Sequence, residues 1–176
     1  MNTNSEEIEK SALGKLYLVS TPIGNLEDIS YRAVSVLNSV DHILAEDTRK
    51  SKILLSHYKI ATACSSYHDH NKTKVTPVLV ERLVGGEDMA LITDAGTPGI
   101  SDPAFFLVRE ALKQNVQIHA IPGPTALISA LVVSGLPTDR FVFEGFLPVK
   151  KGRKKRLEAL IHEPELLFFT NPPIVF

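Results

Sequence analysis

"LITDAGTPGISDP", residues 91–103, joins an apolar run to a turn that carries two glycines, two prolines and two aspartates, and a second apolar pattern follows at once. "MALIT" (89–93) has the length and composition of a buried strand, and "PAFFLVREALKQ" (103–114) places apolar residues at helical spacing. Ser101 is the expected N-cap of that helix, with Pro103 in its first turn. Strand, glycine-rich turn and helix in this order form the unit from which parallel sheets are built. The same alternation repeats along the chain. "KLYLV" (15–19), "HILA" (42–45) and "VQIHAI" (116–121) read as further strands. "DISYRAVSVLNSV" (28–40), "TRKSKILLSHY" (48–58) and "PTALISALVVS" (124–134) read as helices, the first capped by Asp28 or Ser30 and the last ending near Gly135. The expected fold is therefore α/β: an open, mostly parallel sheet with helices on both faces.

Composition narrows the function classes. In 176 residues, 44% are hydrophobic and 22% charged, the balance of a chain with a sizeable core. The longest apolar run, 126–133 interrupted by Ser129, is far short of the roughly 20 residues a membrane helix needs. The polar opening, residues 1–14, has no signal-peptide core and reads as a flexible tail on a cytoplasmic protein. Cys64 stands alone, so no internal disulfide can form. A net charge of −1 excludes a generally basic polyanion binder, yet six of the seven residues in "KKGRKKR" (150–156) are Lys or Arg. That run is either a solvated helix start or linker, or a phosphate-contacting patch in which Lys150, Lys151 and Arg153 would meet RNA.

In open α/β sheets, ligands sit beyond the carboxyl ends of the strands. Three loops in that position are chemically unusual: "STPIGN", "TDAGTPGISDP" and "PGPTA". Gly96 and Gly99 would turn backbone amides towards an anionic group. Asp94 and Asp102 could accept from hydroxyl or amino groups. Neither GxGxxG nor GxxxxGK[ST] occurs, so the common dinucleotide and P-loop readings fall away.

The ordered segments "TPIGNLEDISYRA", "AEDTRKSKILL", "SYHDHN", "DAGTPGISDP", "IPGPTALISAL" and "SGLPTDRFVFEGFLP" resemble the tetrapyrrole-methylase-like family of S-adenosylmethionine-dependent methyltransferases. Within it they are most similar to the branch that 2'-O-methylates a cytidine of bacterial 16S ribosomal RNA. The resemblance implies a homodimer of two-domain chains with S-adenosylmethionine in the cleft between the domains. By motif, Asp94, Ala95, Gly96, Thr97, Pro98, Ile100 and Ser101 would line the donor pocket, joined by Pro122, Gly123, Pro124, Thr125 and Ala126. Thr21, Pro22, Gly24 and Asn25 would stand on the substrate side.

A ribose hydroxyl is a weak acid, so a carboxylate near it would help remove its proton. Glu46, Asp47 and Asp102 are the candidates, with Arg49 as a phosphate or carboxylate clamp. Three of these have a plainer alternative, since Asp47 and Arg49 could pair or cap a helix, and Asp102 could cap the next. RNA contact by Tyr67, His68 and His70 suits this segment better than a metal site formed by His68, His70 and Cys64, and no metal is expected.

The first α/β domain is expected over 15–137 and the beginning of a second, incomplete one over 138–176, where "LLFFT" reads as a strand. Where the family carries a Ser-Pro-His-Arg type segment, this chain has Asn171, Pro172 and Pro173. Two alternative functions follow: methylation of a small tetrapyrrole, or a module that binds donor or RNA without turnover.

Overall fold

A computed structural model describes residues 13–170. The expectations for a loose N-terminal tail, apart from Leu13 and Gly14, and for the Asn171–Pro173 segment lie outside the described residues. Five strands form one sheet: β1 (Lys15–Val19), β2 (His42–Ala45), β3 (Cys64–Ser66), β4 (Met89–Ile92) and β5 (Gln117–Ile121). Every pairing is parallel, in the order β3-β2-β4-β1-β5. Four helices connect them: α1 (Tyr31–Ser39), α2 (Thr48–His57), α3 (Lys72–Val84) and α4 (Ala104–Lys113).

The two-residue period of the strands divides the core in two. Leu16, Leu44, Met89 and Leu91 face Leu79 and Leu83 of α3 and Leu107 and Ala111 of α4. Their neighbours Val19, Ile43, Ala45, Ala90 and Ile92 face Ala33 and Leu37 of α1 and Leu55 of α2. β4 is buried along its whole length because it lies at the centre with helices on either side, which is why "MALI" carries no polar alternation.

Ser30 caps α1, its side chain accepting from the Ala33 amide. The start of α4 differs from the sequence expectation. Ser101 is not its N-cap; it adopts φ +63°, and the helix opens after Pro103. The capping oxygen comes from Asp102, which accepts from the Ala104 amide. β3 and α3 had no sequence expectation. The strand is three residues long and polar, and Pro77 lies inside the helix, where a missing N–H argues against helix until the burial of Thr76, Leu79 and Leu83 outweighs it.

The chain divides into two compact units at Pro124/Thr125. The second unit holds α5 (Ala126–Val133), β6 (Phe141–Phe146), α6 (Arg153–Leu160) and β7 (Leu166–Thr170), with β6 and β7 paired in parallel. Within it, Arg156 of α6 forms an ion pair with Glu144 of β6, and the Phe143 and Phe168 rings meet at 6.1 Å between centroids.

Candidate functional site

Strand order brings the three glycine- and proline-rich loops together, because they follow β4, β1 and β5, which are neighbours in the sheet. The first two are stitched as a short antiparallel bridge: Thr21 N–H donates to Gly96 O at 2.9 Å and Gly96 N–H to Thr21 O at 3.0 Å. Thr21 Oγ1 also donates to Thr93 O at 3.1 Å. The Ser20 hydroxyl also bonds Thr97 Oγ1 at 2.9 Å between the first two loops, and the third joins through Thr97 Oγ1, which donates to Pro124 O at 3.4 Å, just beyond the bond from Ser20 N–H to Ile121 O at the end of β5. Gly123 is required at its position, since a Cβ there would stand 2.9 Å from Ser20 Cβ.

Gly96 and Gly99 both adopt positive φ, as their turn demands, but their amides are not aimed at a ligand. The Gly96 amide serves the bridge to Thr21, and the Gly99 amide donates to Asp102 at 2.7 Å. Ala95, Ile100 and Ser101 are exposed on the loop surface, and Pro98 is buried beneath. Pro122 and Gly123 are exposed, and Thr125 and Ala126 open the second unit, with Thr125 as N-cap of α5.

A cleft of about 150 Å³ opens at the end of the sheet, lined by Thr21, Pro22, Lys50, Ser51, Thr93 and Asp94 among others. Asp94 is its distinctive group. Its Oδ2 accepts from Lys50 Nζ, whereas its Oδ1 is buried with no hydrogen-bond partner among the described residues. An unsatisfied buried acceptor costs about 1–3 kcal/mol, so this atom marks a place where a ligand's hydroxyl or ammonium hydrogen is wanted. Gly24 and Asn25 do not line the cleft; Asn25 instead caps the short 3-10 turn over Leu26–Asp28. Lys50 was not among the sequence candidates. Its signal, a cation three residues after Asp47 in the first turn of a helix, acquires meaning only once β2 is known to lie beside β4.

The three candidate bases stand differently. Both Asp47 oxygens are taken by Arg49, which donates from its backbone amide, Nε and Nη2, and this holds the exposed Asp47 carboxyl well below the usual carboxylate range. The pair caps α2, and Arg49 lines a separate groove with Thr48, Lys52 and Cys64. Asp102 accepts from the Gly99 and Ala104 amides, one on each oxygen; burial raises its pKa, against the pull of those amides and with help from the nearby Glu46 charge. It secures the turn. Glu46 accepts from Thr93 Oγ1 at 2.8 Å through Oε2, and its other oxygen has no bond to a described residue.

His68 and His70 lie on the loop between β3 and α3, with ring centroids 5.9 Å apart, and neither lines the cleft. Tyr67 is buried and bonds Thr76 Oγ1 at 3.1 Å, so it belongs to the core and not to an RNA-facing surface. Burial pushes the Cys64 thiol pKa up, which disfavours the nucleophilic thiolate. Among the described residues no group of three or more His, Cys, Asp or Glu side chains could hold a metal ion. Lys150, Lys151 and Arg153 are exposed on the second unit at the start of α6.

The family model of the tetrapyrrole (corrin/porphyrin) methylases matches residues 15–174. The chain belongs to this family. Its curated relatives include proteins named ribosomal RNA small subunit methyltransferase I: one from Pseudomonas aeruginosa is 52% identical over 91% of this chain and 57% of its own length. Another, from Halalkalibacterium halodurans, is 46% identical over 98% of the chain and 60% of the relative. The chain thus spans somewhat over half the length of these relatives. Among solved structures, a diphthine synthase superposes with TM-score 0.73 at 14% identity, covering 92% of this chain and 65% of that one. A Thermus thermophilus uroporphyrin-III C-methyltransferase gives 0.58 at 20% identity, over 83% and 72%. These two show that the tetrapyrrole methylase fold is shared. No described helix is long and apolar enough to cross a membrane.

Proposed function

We propose that this chain carries the donor-binding part of an S-adenosylmethionine-dependent methyltransferase whose substrate is the 2'-hydroxyl of a cytidine ribose in 16S ribosomal RNA. The observation that carries the reading is the roughly half-identical match, along nearly the whole chain, to relatives named for small-subunit ribosomal RNA methylation. One group in the cleft suits a donor of this kind: the unpaired Asp94 Oδ1 calls for a hydroxyl or ammonium hydrogen, and S-adenosylmethionine carries both. A tetrapyrrole substrate is disfavoured by those names and by the exposed cations at Lys150, Lys151 and Arg153, which suit phosphates.

S-adenosylmethionine supplies a methyl group already activated on a sulfonium, so the residues' main task is alignment. In this reading the Asp94–Ser101 and Pro122–Pro124 segments hold the donor, Thr21 and Pro22 form the wall towards the RNA, and Glu46 receives the hydroxyl proton. Glu46 is preferred over Asp47 and Asp102 because the other two already spend both oxygens on structure. The protein would act in the cytoplasm on the small subunit or its RNA, as a homodimer.

Calorimetric titration of S-adenosylmethionine, followed by a methylation assay on small-subunit RNA, tests the reading. Micromolar binding abolished by Asp94→Ala, with methyl incorporation at a ribose, supports it. Binding without RNA methylation in the full-length protein refutes the substrate, and a folded protein that binds no donor refutes the whole reading.

A further inference from the structure

We propose that Lys50 is a positioning residue for the methyl donor: by holding Oδ2 of Asp94 it keeps Oδ1 turned inwards as the acceptor for a hydroxyl or ammonium hydrogen of the bound molecule. The inference rests on the donor-site reading above. Three observations meet here. Lys50 Nζ and Asp94 Oδ2 form an ion pair between the first turn of α2 and the loop after β4. Asp94 Oδ1 is closed to water and bonded to nothing described. Both side chains line the cleft that also contains Thr21, Pro22 and Thr93.

The chemistry assigns the roles. An ionised carboxylate only accepts, so the group that completes Oδ1 must be a donor, which excludes a ligand carboxylate or phosphate at this point. Lys50 is unsuited to take a proton from a substrate, because its hydrogen bond to Asp94 and the charge of that carboxylate raise its pKa and keep it an ammonium. Its side chain is 64% exposed, so removing it leaves the core untouched. Asp102 secures the far side of the turn through the Gly99 and Ala104 amides, so Lys50 is the group that fixes which way the Asp94 carboxylate faces.

The test is a double-variant cycle read by calorimetry, with S-adenosylhomocysteine as the probe. Lys50→Met is expected to weaken binding about tenfold, the equivalent of one hydrogen bond to a charged group, and Lys50→Arg to recover most of it. Asp94→Asn should weaken binding at least as much, and Lys50→Met in the Asp94→Asn background should add less than twofold. That pattern means Lys50 acts through Asp94. Losses that multiply, or no rescue by Lys50→Arg, overturn the inference while leaving the donor site standing, since Lys50 would then touch the ligand itself or merely support the fold. Wild-type protein that does not bind the probe overturns the donor-site reading and this inference with it.

Discussion

Gly123→Ala probes the junction on which the proposed donor site depends. The new Cβ lies 2.9 Å from Ser20 Cβ and 3.4 Å from Ser20 O. Carbon atoms settle at about 3.5–4.0 Å, so the loops after β1 and β5 must part by roughly 0.6–1 Å. That separation strains the Ser20 Oγ to Thr97 Oγ1 bond, now 2.9 Å. Overpacking of this kind costs about 1–3 kcal/mol, and the broken hydrogen bond about 1 kcal/mol. A destabilisation of about 2–4 kcal/mol corresponds to a drop in Tm of roughly 4–16 °C for a chain of this size. Thermal unfolding followed by circular dichroism reads it, and donor affinity falls alongside because the Thr97 loop shifts. Ser20→Gly removes the atom that the new methyl group would strike, so the double variant recovers about 1–3 kcal/mol relative to the sum of the single changes. A neutral Gly123→Ala, or strictly additive effects, refutes the close packing of these two loops.

Three other outcomes are expected. Glu46→Gln keeps an acceptor for Thr93 but no base, so kcat falls by about 10²–10⁴ while donor affinity stays within about twofold; retained turnover eliminates Glu46 as proton acceptor. Burial lowers the His42 pKa below its ordinary 6.5, with Arg82 assisting and Glu87 opposing. The unfolded chain therefore takes up this proton at higher pH than the folded one, so the His42 contribution is complete above pH 6.5 and is lost as acid approaches the lower folded value. His42→Gln flattens the stability profile in that window, and an unchanged denaturation profile removes His42 as its source. Replacing Lys150, Lys151 and Arg153 with Gln weakens RNA binding and reduces the slope of log K against log salt by about 0.7–0.9 for each phosphate no longer neutralised, with S-adenosylhomocysteine affinity unaltered; an unchanged slope shows that the patch does not meet RNA.

Local chemistry was enough to read most of the sheet. β1, β2, β4, β5 and β7 declare themselves as short apolar runs, and the helices that follow β1, β2, β4 and β5 by spacing and caps; the signal is cleanest in β4, which is buried along its whole length, whereas the edge strand β5 keeps Gln117 and His119 exposed. The loops "STPIGN", "TDAGTPGISDP" and "PGPTA" were likewise legible as a site, since glycine and proline clusters at strand ends follow from backbone sterics. β3 and α3 were not legible: three polar residues carry too little signal, and Pro77 argues for a break that tertiary burial overrides.

Tertiary structure alone decided what each polar group does. Asp47, Asp102, Glu46 and Asp94 are four similar carboxylates at four strand or helix ends, and nothing in their local sequence separates them. The strand order β3-β2-β4-β1-β5 separates them by setting α2 beside the loop after β4, so that Lys50 reaches across 44 residues of chain to Asp94. Arg49 engages Asp47, the amides of Gly99 and Ala104 engage Asp102, and Glu46 and Asp94 each keep one oxygen without a partner among the described residues, that of Asp94 buried. The sequence alone determined which elements form and which loops are chemically unusual, through short-range sterics and periodic burial; which carboxylate remains available to a ligand depends on long-range pairing, which no local pattern encodes.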